Sequence, residues 1–476
     1  MFKKRLLTCF LILSLSMLFM SCTKSSSDSR PVGSIIAFSF LKSANQIPVD
    51  ASAIITGSNI TIFLPPGTAK TNLVSSYQLS DSGTVTVNNV GQKNNVTQND
   101  FTAPVTYHVT NKSGATQAFT VTLITDMQTI DENVAVFMQR YKVPALSIAI
   151  SKQGKLVYAK SYGFADVENQ QPATNQNLFR LASCSKQFTS VAVMRLLDQG
   201  KIHLTDKVFG PNSIFGTTYG TQPYYPRLEQ ITISDLLHHT CGGWSNDDDS
   251  LPDPMFTNPS MSAQQLISWT LDNIKLEYDP GFHYDYSNFG YCILGRIIEK
   301  ITGQPYDAAV QSLVLDPCGI SDMRIGGNTL AQRYPNEVKY YGQNGEDPYI
   351  YNITRMDSHG GWIATATDMV KFLGHVDGSD RSIISPQALN IMTAGSTANT
   401  GYGCGWILTG HNYWHNGSLP GTQTEQAIIK DNGTYNFAII VNTRNNADNF
   451  GSDMDNVFWN SVSETMLWPT YDLFQQ

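Results

Sequence analysis

The residues best suited to chemistry are Ser183 and Lys186, in the run Phe179-Arg180-Leu181-Ala182-Ser183-Cys184-Ser185-Lys186. A serine hydroxyl is a poor nucleophile at neutral pH and needs a base beside it. Lysine serves as that base only when burial or neighbouring positive charge lowers its ammonium pKa. Three residues apart, the two side chains share one face of the first turn of a helix. The start of that helix also favours negative charge nearby. Ser-x-x-Lys recurs by chance in many chains, so its partners decide what it means.

Two further clusters supply candidates. Tyr286-Ser287-Asn288 lies in the aromatic-rich run from Pro280 to Tyr291. A phenol close to a lysine ammonium gives up its proton more readily and works as a general base or relay. The Asn288 amide is suited to donating to a substrate carbonyl and to holding Lys186. The other cluster is Trp414-His415-Asn416-Gly417-Ser418-Leu419-Pro420-Gly421. On a strand at the edge of a cleft, Gly417 would let substrate backbone come close. The N–H of Ser418 would then join that of Ser183 as an oxyanion hole, with His415 facing the substrate.

Taken in this order, the three clusters resemble the set that marks serine β-lactamases and penicillin-binding proteins: Ser-x-x-Lys, Ser-Asp-Asn and Lys-Thr-Gly. Here Tyr-Ser-Asn and His-Asn-Gly fill the second and third slots. That pattern is similar to the class C β-lactamase branch, with its DD-peptidase, D-aminopeptidase and esterase relatives. Pro144-Ala145-Leu146-Ser147-Ile148-Ala149, Gly163-Phe164-Ala165-Asp166, Asp235 to Gly243 and Gly360 to Asp368 match as well, so the resemblance runs from about 130 to 467.

The resemblance implies an α+β catalytic domain, an antiparallel sheet flanked by helices with an all-helical region. It also implies an acyl-enzyme route. Ser183 attacks a carbonyl, Lys186 and Tyr286 handle its proton, and the Ser183 and Ser418 N–H groups hold the oxyanion. Which of Lys186 and Tyr286 is the base stays open, since the two can titrate together. Asn288, His415, Gly417 and Ser418 are the expected substrate-binding residues. The expected substrates are D-amino-acid peptides, peptidoglycan fragments among them, or small esters. A true β-lactamase and a non-catalytic penicillin- or wall-fragment-binding lipoprotein are the alternatives. His415 departs from the lysine of class C β-lactamases, which offers a fixed charge to a substrate carboxylate; histidine is largely neutral above about pH 6.5. No cofactor is expected. His238, His239 and Cys241 form a short cluster without a later partner, a weak metal pattern, so no metal is expected either. Cys184 adjoins the nucleophile and Cys241 stands where the family usually has serine, so two readings stay open: a disulfide between them, or two small buried thiols.

These side chains must be carried by elements that the pattern also suggests. Apolar residues at helical spacing run from Ile130 to Arg140, and strands follow at 145–151 and 156–159. A helix is expected from Ser183 to Gln199, then helical pattern and long polar loops to about 350. A hairpin at 424–442 turns at Asp431-Asn432-Gly433-Thr434, and a last helix is expected over 449–467. Helix, strand pair, helical insert, strands and helix make an α+β layout.

At 476 residues the chain suits two or three domains, since a domain takes roughly 100–200 residues. Lys3, Lys4 and Arg5, then the apolar run Leu6 to Met20, read as an export signal too short to span a bilayer. Phe19-Met20-Ser21-Cys22 resembles a bacterial lipobox, which implies a signal peptide over 1–21, lipidation of Cys22 and a Ser-rich tether over 22–33. Short β-branched runs punctuated by turn residues suggest an Ig-like β-sandwich over 34–125, similar to the modules that precede catalytic domains in Bacteroidetes-type lipoproteins. The hydrolase domain is expected over 126–476. The net charge of −8 and the lack of a basic run after the leader argue against a nucleic-acid partner. The expected location is the outer membrane of a bacterial envelope, facing the periplasm or the outside, with lipid as the membrane contact.

Overall fold

The computed structural model describes residues 33–246, 253–431 and 434–475. The expected signal peptide, Cys22 and the expected tether up to residue 32 lie outside the described residues.

The N-terminal part is a β-sandwich. One sheet has the order Ala51–Ser52, Ile35–Phe40, Leu73–Leu79, Gln98–Asn99. The other runs Ile54–Thr56, Asn59–Phe63, Thr116–Ile124, Val105–Asn111, Gly83–Val87, Val90–Gly91. Thr116–Ile124 shows why: Phe119, Val121 and Leu123 alternate with partly exposed residues, so one face of the strand is buried. Phe38, Phe40, Phe101, Tyr107 and Phe119 fill the space between the sheets, and Phe40 meets Phe101 edge-on at 5.1 Å. The strand Leu73–Leu79 was not legible from its own residues, because Ser75, Ser76 and Gln78 break the apolar pattern. Pairing with Ile35–Phe40 recruits it. Val49 and Phe63 belong to the core of the catalytic part, so the sandwich packs directly against it.

The catalytic part begins with α1 (Gln128–Tyr141), β1 (Ala145–Lys152) and β2 (Lys155–Asp166). It continues through α2 (Ser185–Asp198), α3 (Asn288–Thr302) and α4 (Ala366–Leu373). It closes with β3 (Asn412–Leu419), β4 (Thr422–Ile429), β5 (Tyr435–Val441) and α5 (Phe450–Glu464). The sheet runs β2-β1-β5-β4-β3, with Gln171–Pro172 beyond β2 and Ile407–Thr409 beyond β3. All its pairings are antiparallel. β5 is buried at every position, so it is covered on both faces. Phe437 of β5 stacks on Phe458 of α5 with ring centres 4.0 Å apart. Phe137 and Tyr141 of α1 pack on Phe450 of α5. On α2, Phe188 lies 4.3 Å from Phe372 of α4.

Three boundaries differ from the sequence expectation. β2 runs on to Asp166, because beyond Gly163, which has φ 75°, Phe164 and Asp166 pair with Pro172 and Gln171. The last helix stops at Glu464, ahead of an extended Thr465 and the Trp468-Pro469 step that disfavours helix. The helix expected from Ser183 opens instead as a 3-10 turn at Ala182–Cys184, and α2 proper starts at Ser185.

The stacked pair Phe437–Phe458 makes α5 a clamp on the sheet. Phe458→Ala is expected to destabilise the protein by about 3–5 kcal/mol, read as a lower urea midpoint with an unchanged slope.

Candidate active site

Ser183 sits in the 3-10 turn that leads into α2. Ala182 before it has φ 47°, a region that residues with a side chain seldom adopt. The turn is held from several sides. Leu181 donates its N–H to Trp362 O at 2.9 Å, and Ser185 Oγ accepts from Trp362 N at 3.2 Å. Thr422 and Thr424 of β4 both donate to Arg180 O, at 2.9 and 3.1 Å. From Asn177 to Met194, Ser183 alone is not fully buried. The kinked entry therefore presents one hydroxyl to the cleft and encloses its neighbours.

Lys186 is fully buried one turn along. Its Nζ lies 3.1 Å from Ser183 Oγ, 2.6 Å from Asn288 Oδ1 and 3.2 Å from His359 O. Burial lowers its pKa from the usual 10.5 to about 7, against the opposing pull of Asp253. Nζ also lies 4.7 Å from the centre of the Tyr286 ring. Burial pushes the Tyr286 phenol well above its ordinary value, while the neighbouring Ser183 hydroxyl pulls the other way. Tyr286 is thus a protonated phenol in the resting site.

Tyr286-Ser287-Asn288 marks the start of α3. Ser287 caps the helix by accepting from Gly290 N at 3.0 Å. Asn288, the first helical residue, holds Lys186 through Oδ1 and donates from Nδ2 to Asn246 Oδ1 at 2.9 Å. The Asp253 carboxylate accepts from the N–H groups of Asn288 at 2.6 Å and Phe289 at 3.4 Å. An anion there suits the positive end of α3. Full burial raises Asp253 to about 6, and its backbone hydrogen bonds act in the opposite direction.

β3 runs past Ser183. A Cβ on Gly417 would stand 2.2 Å from Leu181 O and 2.9 Å from Ser183 N. Only glycine lets the strand and the turn approach so closely. Ser418 follows, paired with Gln423 of β4. His415 is buried, its ring 6.2 Å from that of Tyr286. Its Nε2 lies 3.0 Å from the Tyr402 hydroxyl and its Nδ1 2.5 Å from Asn416 O. Burial, then the charge of Lys186, lowers its pKa to about 3.

The structure thus brings Ser183, Lys186, Tyr286 and Asn288 together, with Gly417 against the same turn and His415 behind it. It does not join Cys184 to Cys241: both thiols are free and buried. Cys184 Sγ donates to His415 O at 3.4 Å and Cys241 Sγ to Gly243 O at 3.2 Å, so each thiol is satisfied by its own carbonyl. His238 bonds Ser234 O through Nδ1 at 2.9 Å and Ala394 O through Nε2 at 3.2 Å. His239 turns the other way, with Ser287 N on its Nδ1 at 3.0 Å. Sequence reasoning missed Asp253, Asn246, Tyr402 and the His359 carbonyl. Tyr402 carried one available signal, the close-packing pattern Gly401-Tyr402-Gly403-Cys404-Gly405. Asp253 did not stand out, because it follows the acidic run Asp247-Asp248-Asp249, and acids in a polar loop read as solvated.

An accessible serine backed by a buried lysine, beside a sheet edge, defines a serine acyl-transfer enzyme. The chain belongs to the beta-lactamase family, whose model matches residues 130–459, and it is a serine hydrolase acting on amide or ester bonds. Residues 35–123 match the SGBP N-terminal family. The chain is 28% identical over 307 residues to a putative D-alanyl-D-alanine carboxypeptidase of Escherichia coli (strain K12), covering 56% of this chain and 69% of that protein. It is 26% identical over 325 residues to protein flp of Staphylococcus aureus (strain MRSA252), covering 66% and 62%. Among solved structures it is similar to the penicillin-binding protein homologue from Pyrococcus abyssi, with TM-score 0.55, 25% identity and coverage of 67% and 74%. It shares the fold of the D-amino acid amidase from Ochrobactrum anthropi SV3 in complex with D-phenylalanine, with TM-score 0.58, 22% identity and coverage of 71% and 99%.

Gly417→Ala tests the close approach. It is expected to leave far-UV circular dichroism unchanged and to cost about 100-fold or more in kcat, because the added methyl displaces the turn that aims Ser183.

Proposed function

We propose that the chain hydrolyses D-amino-acid peptides or small esters through an acyl-enzyme on Ser183. The carrying observation is the buried Lys186 amine 3.1 Å from an accessible serine hydroxyl, with its pKa brought to about 7. In its neutral form Nζ keeps two N–H bonds, to Asn288 Oδ1 and His359 O, and turns its lone pair to Ser183. Lys186 is therefore the base for acylation, and the Tyr286 phenol, held protonated, is the donor on the leaving side.

Ser183 Oγ bonds to the substrate carbonyl carbon, and its proton passes to Lys186. The oxyanion rests on the N–H groups of Ser183 and Ser418. The C–N or C–O bond then breaks, and the leaving amine or alcohol takes a proton from Tyr286, which Lys186 replaces. Water, deprotonated by the same pair, attacks the acyl-enzyme, and Ser183 recovers its proton as the acid departs. Asn288 keeps Lys186 in register and has a second Nδ2 hydrogen for a substrate carbonyl.

The relatives support the substrate class: one is a putative D-alanyl-D-alanine carboxypeptidase and another a D-amino acid amidase. The SGBP-type module and the wall-related family support a place in the cell envelope. In this reading Cys22 carries lipid that anchors the protein to the outer membrane, and the sandwich is the spacer between anchor and enzyme. No helix among the described residues is long and apolar enough to cross a membrane.

The test is a panel of p-nitrophenyl esters, D-alanyl peptides and nitrocefin on the wild type and Ser183→Ala. Ser183→Ala is expected to lose about 1,000-fold or more of the turnover; full activity in that variant overturns the reading. The pH profile supplies a second expectation. Lys186 works when unprotonated, so kcat/KM rises with pH through a midpoint near 7. Lys186→Arg, which cannot lose its proton, is expected to drop kcat by about 100-fold or more.

A further inference from the structure

The sheet that carries Gly417 has a second face. Gly417 of β3 and Thr424 of β4 meet the Ser183 turn. Asn416 and Glu425, paired across the same two strands, point the other way, because side chains alternate along a strand. On that far side Trp414, Ala427 and Phe437 form a row across β3, β4 and β5. A cavity of about 420 Å³ lies between this face and α5, a size that suits a small molecule. Asp455 and Trp459, one turn apart on α5, form its opposite wall. Glu425, Ala427 and Phe437 are buried at the floor, while Asn416 and Ser452 are exposed at the rim, so the cavity opens to solvent.

The charge in this cavity is of one sign. Glu425 is 5% exposed, and its carboxyl hydrogen-bonds to that of Asp455. Among the described residues neither carboxyl forms an ion pair, and Glu425 accepts no N–H. Burial, then the Asp455 charge, raises Glu425 well above its ordinary value. The bond between the two acids raises Glu425 and lowers Asp455, so Glu425 holds a proton and Asp455 the negative charge. A half-buried charge with no cation beside it is costly, and apolar side chains would fill the space more cheaply. The indoles do not relieve that cost by reaching for a guest. Trp459 donates its N–H to Asp455, and Trp414 donates to Thr409 Oγ1 at 3.1 Å. Both rings therefore offer the cavity carbon surface and no donor. A guest that fits has to bring the donors and the positive charge itself.

We propose that the cavity between β3, β4 and α5 binds a small organic cation, a primary ammonium on an aromatic or apolar body, with its N–H groups on Glu425 and Asp455 and its body against Trp414 and Trp459. An ammonium supplies three donors and no acceptor. Its bonds to carboxylates are the strong, charge-assisted kind, and an indole ring attracts it further. An anion is repelled there, and a neutral guest leaves the Asp455 charge uncompensated. The site is distinct from the one at Ser183: β3 stands between them, with His415 and Gly417 on one face and Trp414 and Asn416 on the other. It draws on no step of the hydrolysis.

The experiment titrates the full chain at neutral pH with phenethylammonium, phenethyl alcohol and phenylacetate, which share an aromatic body and differ in charge. Calorimetry gives the affinity, and tryptophan fluorescence reports on the cavity wall. The ammonium is expected to bind about tenfold or more tightly than the alcohol, and phenylacetate is expected not to bind. No measurable binding of the ammonium, or equal binding of the alcohol, overturns the proposal. The double variant Glu425→Gln, Asp455→Asn keeps the shape of the pair and removes its charge. It is expected to weaken the ammonium by about tenfold or more, and unchanged affinity overturns the proposal. Ala427→Leu fills the floor with both carboxyls kept and is expected to lose binding too, so a folding failure in one variant leaves the other to decide. Competitive inhibition of p-nitrophenyl acetate turnover, with a constant equal to the Kd, would place the probe at Ser183 and overturn the proposal as well.

Discussion

Everything in the catalytic half answers to one cost, that of burying the Lys186 amine. An ammonium taken out of water loses several kcal/mol of solvation, and only well-placed acceptors recover part of it. Here the acceptors are Ser183 Oγ, Asn288 Oδ1 and His359 O, which belong to three separate stretches of chain. Lowering the pKa from 10.5 to about 7 means the protonated form is disfavoured by about 5 kcal/mol relative to water. That destabilised cation is what the proposed acyl-enzyme route draws on. A lysine left in solvent would stay charged at neutral pH and would take no proton from serine.

The acceptors are placed by structural devices remote from any reaction. Asn288 is fixed because Ser287 caps α3 and because the Asp253 carboxylate gathers the first N–H groups of that helix. Asp253 adds a second effect: its charge raises the Lys186 pKa and so limits how far burial lowers it. The lysine therefore titrates near neutrality, where it can both take and return a proton. Ser183 is fixed by the left-handed Ala182 and by Thr422 and Thr424, which tie the preceding strand to the sheet. β3 reaches the turn only because position 417 has no side chain.

Behind this sits an aromatic cluster around His239, with Tyr286, Tyr291 and Tyr402 ringing the imidazole at 4.3 to 5.0 Å. It links the loop before α3 to β3 and holds the Tyr286 ring beneath the Lys186 amine, 4.7 Å from Nζ. Burial keeps these phenols protonated and the imidazoles neutral. The cluster therefore stiffens the cleft through hydrogen bonds and packing, without competing charges. That neutrality separates this cleft from one built around a lysine on the third motif.

Much of this was readable in the chain. The helix-start spacing of Ser183 and Lys186, the Tyr-Ser-Asn run, the glycine at 417 and the alternating strands are local patterns, so the α+β catalytic layout and the β-rich front module followed from residue types alone. The strand Leu73–Leu79, the 3-10 entry at Ala182 and the end of the last helix at Glu464 were decided by neighbours that no local window contains. The same holds for chemistry. Sequence singled out Ser183 and Lys186 as candidates only when the three clusters were read together as a resemblance, since their helical spacing alone recurs by chance. Only the tertiary structure showed that Cys184 and Cys241 each serve a separate carbonyl. It alone brought in Asp253, and it alone turned His415 away from charge, since pKa, tautomer and free donors depend on what the fold packs around a side chain.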